Sequence, residues 1–132
     1  MRLIGLGTVA AMLLAGCVNN IEAETKPIND GRVIALAKTL IADRMRDPEA
    51  TRFKNEFSSF QTKQGDYIVC GSLNAKNAMG GYVGYRQFYA RIRNNSLEAF
   101  NIPGDDDEYG IVTNAVAKSC RDAAAGKVTV GS

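Results

Sequence analysis

The hydrophobic period of this chain changes twice, and those changes limit its fold more than any other feature. Val33, Ile34, Leu36, Ala37, Leu40, Ile41 and Met45 recur at helical spacing, because residues three and four apart share one face of an α-helix. Asp30 stands where an N-cap belongs, and Lys38, Asp43, Arg44 and Arg46 fall mostly on the opposite side. Asp47-Pro48-Glu49 ends that helix and starts a further short turn, with proline at its first helical position. From Phe53 the pattern becomes that of strands. A first strand is predicted around Phe53, Phe57 and Phe60, and a second over Tyr67 to Leu73. A third, long strand covers Tyr82 to Arg93, and a short fourth covers Leu97 to Ile102. Lys63-Gln64-Gly65-Asp66 and Asn94-Asn95 read as the turns between them, so the strands form an antiparallel meander. Helical spacing returns at Ile111, Val112, Ala115, Val116, Cys120 and Ala123. This predicts a second helix from about Asp106 to Ala124, stopped by Gly126. The layout predicts an α+β domain of two layers: an N-terminal helix, a meander of three to four strands and a C-terminal helix, with both helices on one face of the sheet.

Ahead of this domain, Arg2 precedes an apolar run from Leu3 to Leu14. The run is shorter than the ~20 residues a membrane-spanning helix needs and suits an export signal. It ends in Leu14-Ala15-Gly16-Cys17, which resembles the lipobox of bacterial lipoproteins. The resemblance implies that the Cys17 thiol carries a diacylglyceryl group and that the chain is cut just before it. It divides the chain into a signal peptide (residues 1–16), a lipidated tether (17–29), the α+β domain (30–126) and a loose tail (127–132). Val18, where enteric bacteria use Asp to retain a lipoprotein at the inner membrane, points to the outer membrane. The competing readings of the leader are an ordinary secretory signal with an incidental cysteine, and a buried N-terminal helix.

Setting Cys17 aside leaves Cys70 and Cys120. An even pair in an exported domain reads as a disulfide. The mature chain of 116 residues, with 15 Lys+Arg against 14 Asp+Glu, suffices for one domain. It lacks the basic excess of a nucleic-acid binder. The chain has no histidine, so it offers neither a base for a serine or cysteine nucleophile nor the commonest zinc ligand. Asp105-Asp106-Asp107-Glu108 lacks the alternating spacing of a calcium loop and suits a helix start. A Glu56/Glu98 pair is the remaining route to a small hydrolase. No catalytic residue, metal site or cofactor is expected.

The stretch Val69 to Phe88 contains Cys70-Gly71-x-x-Asn74-Ala75-Lys76-Asn77-x-x-Gly80-Gly81-Tyr82-x-Gly84, with Asp47-Pro48-x-Ala50-x-x-Phe53 upstream. It resembles the core of a group of short bacterial envelope proteins. The resemblance covers about a third of the chain and brings no substrate or catalytic residue with it. Two readings of the loop stand. In one, glycines and asparagines shape a turn. In the other, Asn74, Lys76 and Asn77 present polar groups beside Tyr82 and Tyr85 to a glycan or a peptide end. In the long strand, alternation places Tyr85, Tyr89, Arg91 and Arg93 on one face. With Tyr67 alongside, these predict a Tyr/Arg surface of the kind favoured at protein interfaces. The expected function is that of a non-enzymatic envelope lipoprotein, held to the membrane by lipid, that binds another envelope component, a protein. A ligand- or glycan-binding module using the Asn74 to Gly81 loop is the alternative.

Overall fold

The computed structural model describes residues 22–129. The expectations for the leader and for Cys17 lie outside that range. The described chain runs β1 (Glu22–Ile28), α1 (Gly31–Ala42), a 3₁₀ turn (Pro48–Ala50), β2 (Arg52–Phe53), β3 (Ser58–Thr62), β4 (Tyr67–Asn74), β5 (Arg86–Arg93), β6 (Ser96–Asn101), α2 (Ile111–Ala124) and β7 (Lys127–Thr129). All seven strands join one antiparallel sheet in the order β6-β5-β4-β3-β1-β7, with β2 paired to β4.

The α+β class and the Cys70–Cys120 disulfide hold, with the bridged Cα atoms 6.1 Å apart. The layer count differs from the expectation, because the helices lie on opposite faces. Phe60, Ile68, Cys70 and Tyr89 pack with Val116, Cys120 and Ala123 of α2 and with Val128. On the other face Val69, Leu73, Phe88, Ala90 and Ile92 pack with Val33, Ala37 and Ile41 of α1. The result is three layers, with β4 and β5 buried on both sides. Such strands read as continuous apolar runs rather than as alternation, and Tyr67-Ile68-Val69-Cys70-Gly71-Ser72-Leu73 is a run of that kind. Each fully buried side chain, such as Ile41, Leu73 or Phe88, contributes roughly 1.5–3 kcal/mol of transfer free energy.

The strand count also differs: seven replace three to four. The segment read as a tether supplies β1, which pairs with β3 and β7, and the segment read as a loose tail supplies β7. Pro27 fits inside β1 at no cost in hydrogen bonds. The Thr25 N–H bonds the Gly126 carbonyl on the β7 side, at 3.0 Å. Two residues on, Pro27 faces that same side, beyond the last β1–β7 pair at Glu24 and Lys127. The long third strand is shorter than expected and begins at Arg86, because Gly84 has φ +100°.

The caps explain the helix boundaries. The Asp30 carboxylate accepts from the Arg32 N–H at 2.9 Å and opens α1 as expected. α2 begins five residues later than predicted, since Gly110 occupies its N-cap with φ +66°. The absent cap side chain is replaced by Asp107, which accepts from the backbone N–H groups of Val112 (3.0 Å) and Thr113 (2.9 Å) and from the Thr113 hydroxyl. These bonds, the Thr113 hydroxyl first, hold the Asp107 carboxyl below its ordinary range. Asn94 and Asn95 both take positive φ (50° and 59°) in the β5–β6 hairpin, as a type I′ turn requires.

Gly71 shows why a glycine sits in the middle of β4. A Cβ there would lie 2.9 Å from Phe57 Cδ1 and 3.0 Å from Phe88 Cζ. Gly71→Ala is expected to lower stability by about 1–3 kcal/mol through overpacking, read as a reduced urea midpoint. A Gly71→Ala/Phe57→Leu double variant should recover part of the loss.

Candidate functional site

The loop between β4 and β5 is built from its own asparagines. Asn77 Oδ1 accepts from the N–H groups of Met79 (3.0 Å) and Gly81 (3.1 Å), while Asn74 Oδ1 accepts from the Gly84 N–H at 3.0 Å. Backbone bonds from Asn77 to the Gly81 carbonyl and from Gly80 to the Asn77 carbonyl close the turn, and Gly80 takes φ +79°. Tyr82 then locks the loop to the 3₁₀ turn. Its hydroxyl donates to the Ala50 carbonyl at 2.8 Å, and the Arg52 guanidinium lies 4.3 Å from its ring centroid. The two sequence stretches that carry the resemblance therefore touch. The carbonyl oxygens of Asn74 and Asn77 are committed to the loop itself, which favours the architectural reading of these residues.

At the base of the loop lies a cavity of about 210 Å³. Met45 and Leu73 give it an apolar side, and Lys76, Asn77, Arg86 and Asp105 give it a polar one. Arg86 is held there by the Pro103 carbonyl (3.0 Å) and by an ion pair with Asp105. The volume falls below the roughly 300–1,000 Å³ usual for small-molecule sites.

The Tyr/Arg set expected to form one surface is dispersed. Tyr89 is buried against α2, and burial pushes its phenol up from the ordinary tyrosine range. Arg91 is 7% exposed and pairs with Asp66, itself buried, at 2.7 Å. Arg93 joins the same carboxylate at 2.9 Å and reaches Glu98 at 3.3 Å. Tyr67 packs on the opposite face, against the α1 cluster. Tyr85 is exposed just ahead of β5, with Lys54 Nζ 5.0 Å from its ring centroid. Arg93, half exposed, ends β5, so the two are separated by roughly 25 Å of extended chain. The physical reason is α2, which covers the face that alternation assigned to solvent, and Asp66, which arrives from the β3–β4 turn to neutralise both arginines. Sequence reasoning placed Asp66 only in a turn. A buried acid opposite two arginines on alternate strand positions could have been sought there.

A different surface emerges at one end of the sheet. Met79 is 92% exposed, Tyr109 82% and Ile111 70%, and Tyr85 and Val112 are also open. The β4–β5 loop and the segment from β6 to α2 both leave the sheet at the end marked by the Leu73–Arg86 pair. β1 begins at the other end, beside the β3–β4 turn, since Thr25 pairs with Thr62. The first five residues of α2 are exposed, so the helix projects past the core it covers further along. Every exposed large apolar side chain among the described residues thus belongs to the end remote from the start of β1. The signal for this was the apolar pair at Ile111-Val112, which helical periodicity assigned to the core.

No protein-family model, curated protein or solved structure matches the chain. Among the described residues, no three or more His, Cys, Asp or Glu side chains gather to hold a metal, and no helix is long and apolar enough to cross a membrane. Glu56 is exposed, and Glu98 is engaged by Arg93.

Proposed function

We propose that this chain is a non-enzymatic, lipid-anchored envelope protein that docks another envelope protein on the end of its sheet remote from the anchor. The reading is supported by one observation above all: Met79, Tyr85, Tyr109, Ile111 and Val112 are exposed at that end. Tyr and Met are enriched at protein interfaces, and an apolar patch left open on a small domain marks a contact surface. The asparagine-built loop and the Tyr82–Ala50 bond give the patch a rigid base, which lowers the ordering cost of binding. The surface replaces the Tyr/Arg face expected from alternation and keeps Tyr85 from it.

The test is crosslinking in intact cells. Tyr109→Ser combined with Ile111→Ser should abolish a specific crosslinked species while leaving the urea midpoint unchanged. A crosslink pattern identical to that of the parent protein would refute the surface. Cys17→Ser should abolish lipid labelling and release the protein from the membrane fraction, and unchanged labelling would refute the anchor.

A second reading has one observation in its favour, the cavity at the base of the loop with Lys76, Arg86 and Asp105 in its wall. It would take a small polar ligand such as a single sugar ring. Calorimetric titration with cell-wall glycan fragments, with Lys76→Ala as the comparison, separates it from the protein-docking reading.

A further inference from the structure

Among the described residues, no helix covers one sheet face at the end where β1 begins. α1 packs on β4, β5 and β6, while α2 covers β1, β5 and β7 from the opposite side. The register places Glu24 opposite Lys127, and Lys26 opposite Gln61. The Lys63 N–H bonds the Glu24 carbonyl at 3.0 Å, next to the Thr25–Thr62 pair. Thr25 points to α2, where its hydroxyl donates to the Ala123 carbonyl. By alternation Glu24, Lys26, Gln61, Lys63 and Lys127 therefore share the uncovered face. Glu24, Lys26, Gln61 and Lys63 line an open cavity of about 400 Å³ there, with Lys127 across from Glu24. Glu24, Lys26, Lys63 and Lys127 are all exposed. Three ammonium groups stand around one carboxylate, and among the described residues no large apolar side chain is exposed beside them.

The position of this face in the chain identifies its occupant. Only residues 18–21 separate Cys17 from β1. Fully extended, the five Cα-to-Cα steps from Cys17 to Glu22 reach roughly 17 Å, far less freedom than a tether running to residue 29 would allow. We infer that the uncovered β7-β1-β3 face is a membrane-docking surface. Its lysines engage the headgroup phosphates of the bilayer that holds the Cys17 acyl chains, and the domain stands with its apolar end turned outward. The inference rests on the lipid-anchor reading. Basic side chains close to an anionic leaflet are attracted to it within a Debye length, so the short linker and the lysines act together.

The test uses the full, acylated protein reconstituted into vesicles of phosphatidylethanolamine and phosphatidylglycerol that carry a nitroxide-headgroup lipid. A fluorophore is placed either at Gln64→Cys, in the exposed β3–β4 turn, or at Met79→Cys at the other end. Quenching at position 64 should exceed that at position 79 several-fold. Lys26→Glu, Lys63→Glu and Lys127→Glu together should bring the two together. Equal quenching at both positions, or quenching at 64 untouched by the triple reversal, overturns the inference while leaving the anchor intact. Mass analysis finding no acyl group on Cys17 removes the anchor reading and this inference with it.

Discussion

Asp66→Ala is expected to cost about 3–5 kcal/mol, because it strands a buried guanidinium without its partner. Arg91 is 7% exposed and its Nε and Nη2 both reach Asp66 Oδ2, at 2.8 and 2.7 Å. Arg93 donates to the same carboxylate through Nε and Nη2, and the Thr62 hydroxyl oxygen accepts the Asp66 N–H at 3.0 Å. The β3–β4 turn is thereby tied to the far end of β5. Urea unfolding measures the loss as a lower midpoint. Replacing the pair together, Asp66→Leu with Arg91→Met, should cost less than Asp66→Ala alone, since no unpaired charge is left buried. A double variant worse than the single would count against the ion cluster as the cause. The Arg93 guanidinium first, and then that of Arg91, hold the Asp66 carboxyl below its ordinary range against the opposing pull of burial. The unfolded chain therefore takes up this proton at a higher pH than the folded one does. The cluster's contribution is fully present above about pH 4, where an unfolded aspartate titrates, and is lost as pH falls from there through the lowered folded value. Asp66→Asn should flatten that acid limb.

Removing the disulfide, as Cys70→Ala with Cys120→Ala, should cost roughly 4 kcal/mol by the chain-entropy argument for a loop of this length; the bridged residues lie 50 apart. The bridge is the covalent link between the central sheet and α2, whose first five residues make little contact with the core. Amide exchange should therefore rise most in α2 and β7. Reducing and non-reducing mass analysis of the parent protein should differ by two hydrogen atoms, and free thiols at either position would refute the bridge.

The helices and hairpins were legible because their chemistry is local. Asp30 caps α1 through its own neighbour Arg32, Val33, Ala37 and Ile41 fall on one stripe, and Asn94-Asn95 adopts the turn that asparagines tolerate. What was not legible depends on partners distant in the chain. β1 (Glu-Ala-Glu-Thr-Lys-Pro-Ile) gives only a weak alternation, because its face toward α2 carries Thr25 and Pro27 rather than large apolar side chains. Its strand state comes from β3 and β7, more than 30 and 100 residues away. Helix placement failed for a related reason: β4 and β5 are apolar on both faces, and a two-sided run does not say which helix takes which side. The candidate site was half legible. The Asn74 to Gly84 loop was located, while the burial of Tyr89 and Arg91 and the exposure of Tyr109 and Ile111 required the position of α2.

The pairing of β1 with β7 also bears on the order of folding. The first and last described strands close one edge of the sheet, between Glu22 and Thr129, and loop-closure entropy makes such a contact slow to form. A chain that emerges N-terminus first, as in synthesis, frees β1 early and keeps its β7 side open until β7 follows. The β3–β6 meander, built from sequence neighbours, could form without them, but α2 would have no β7 to rest on and Cys120 would reach Cys70 late. A topology of this kind delays its own completion until β7 is free to pair with β1, so the order in which the strands become available sets the order in which the fold closes.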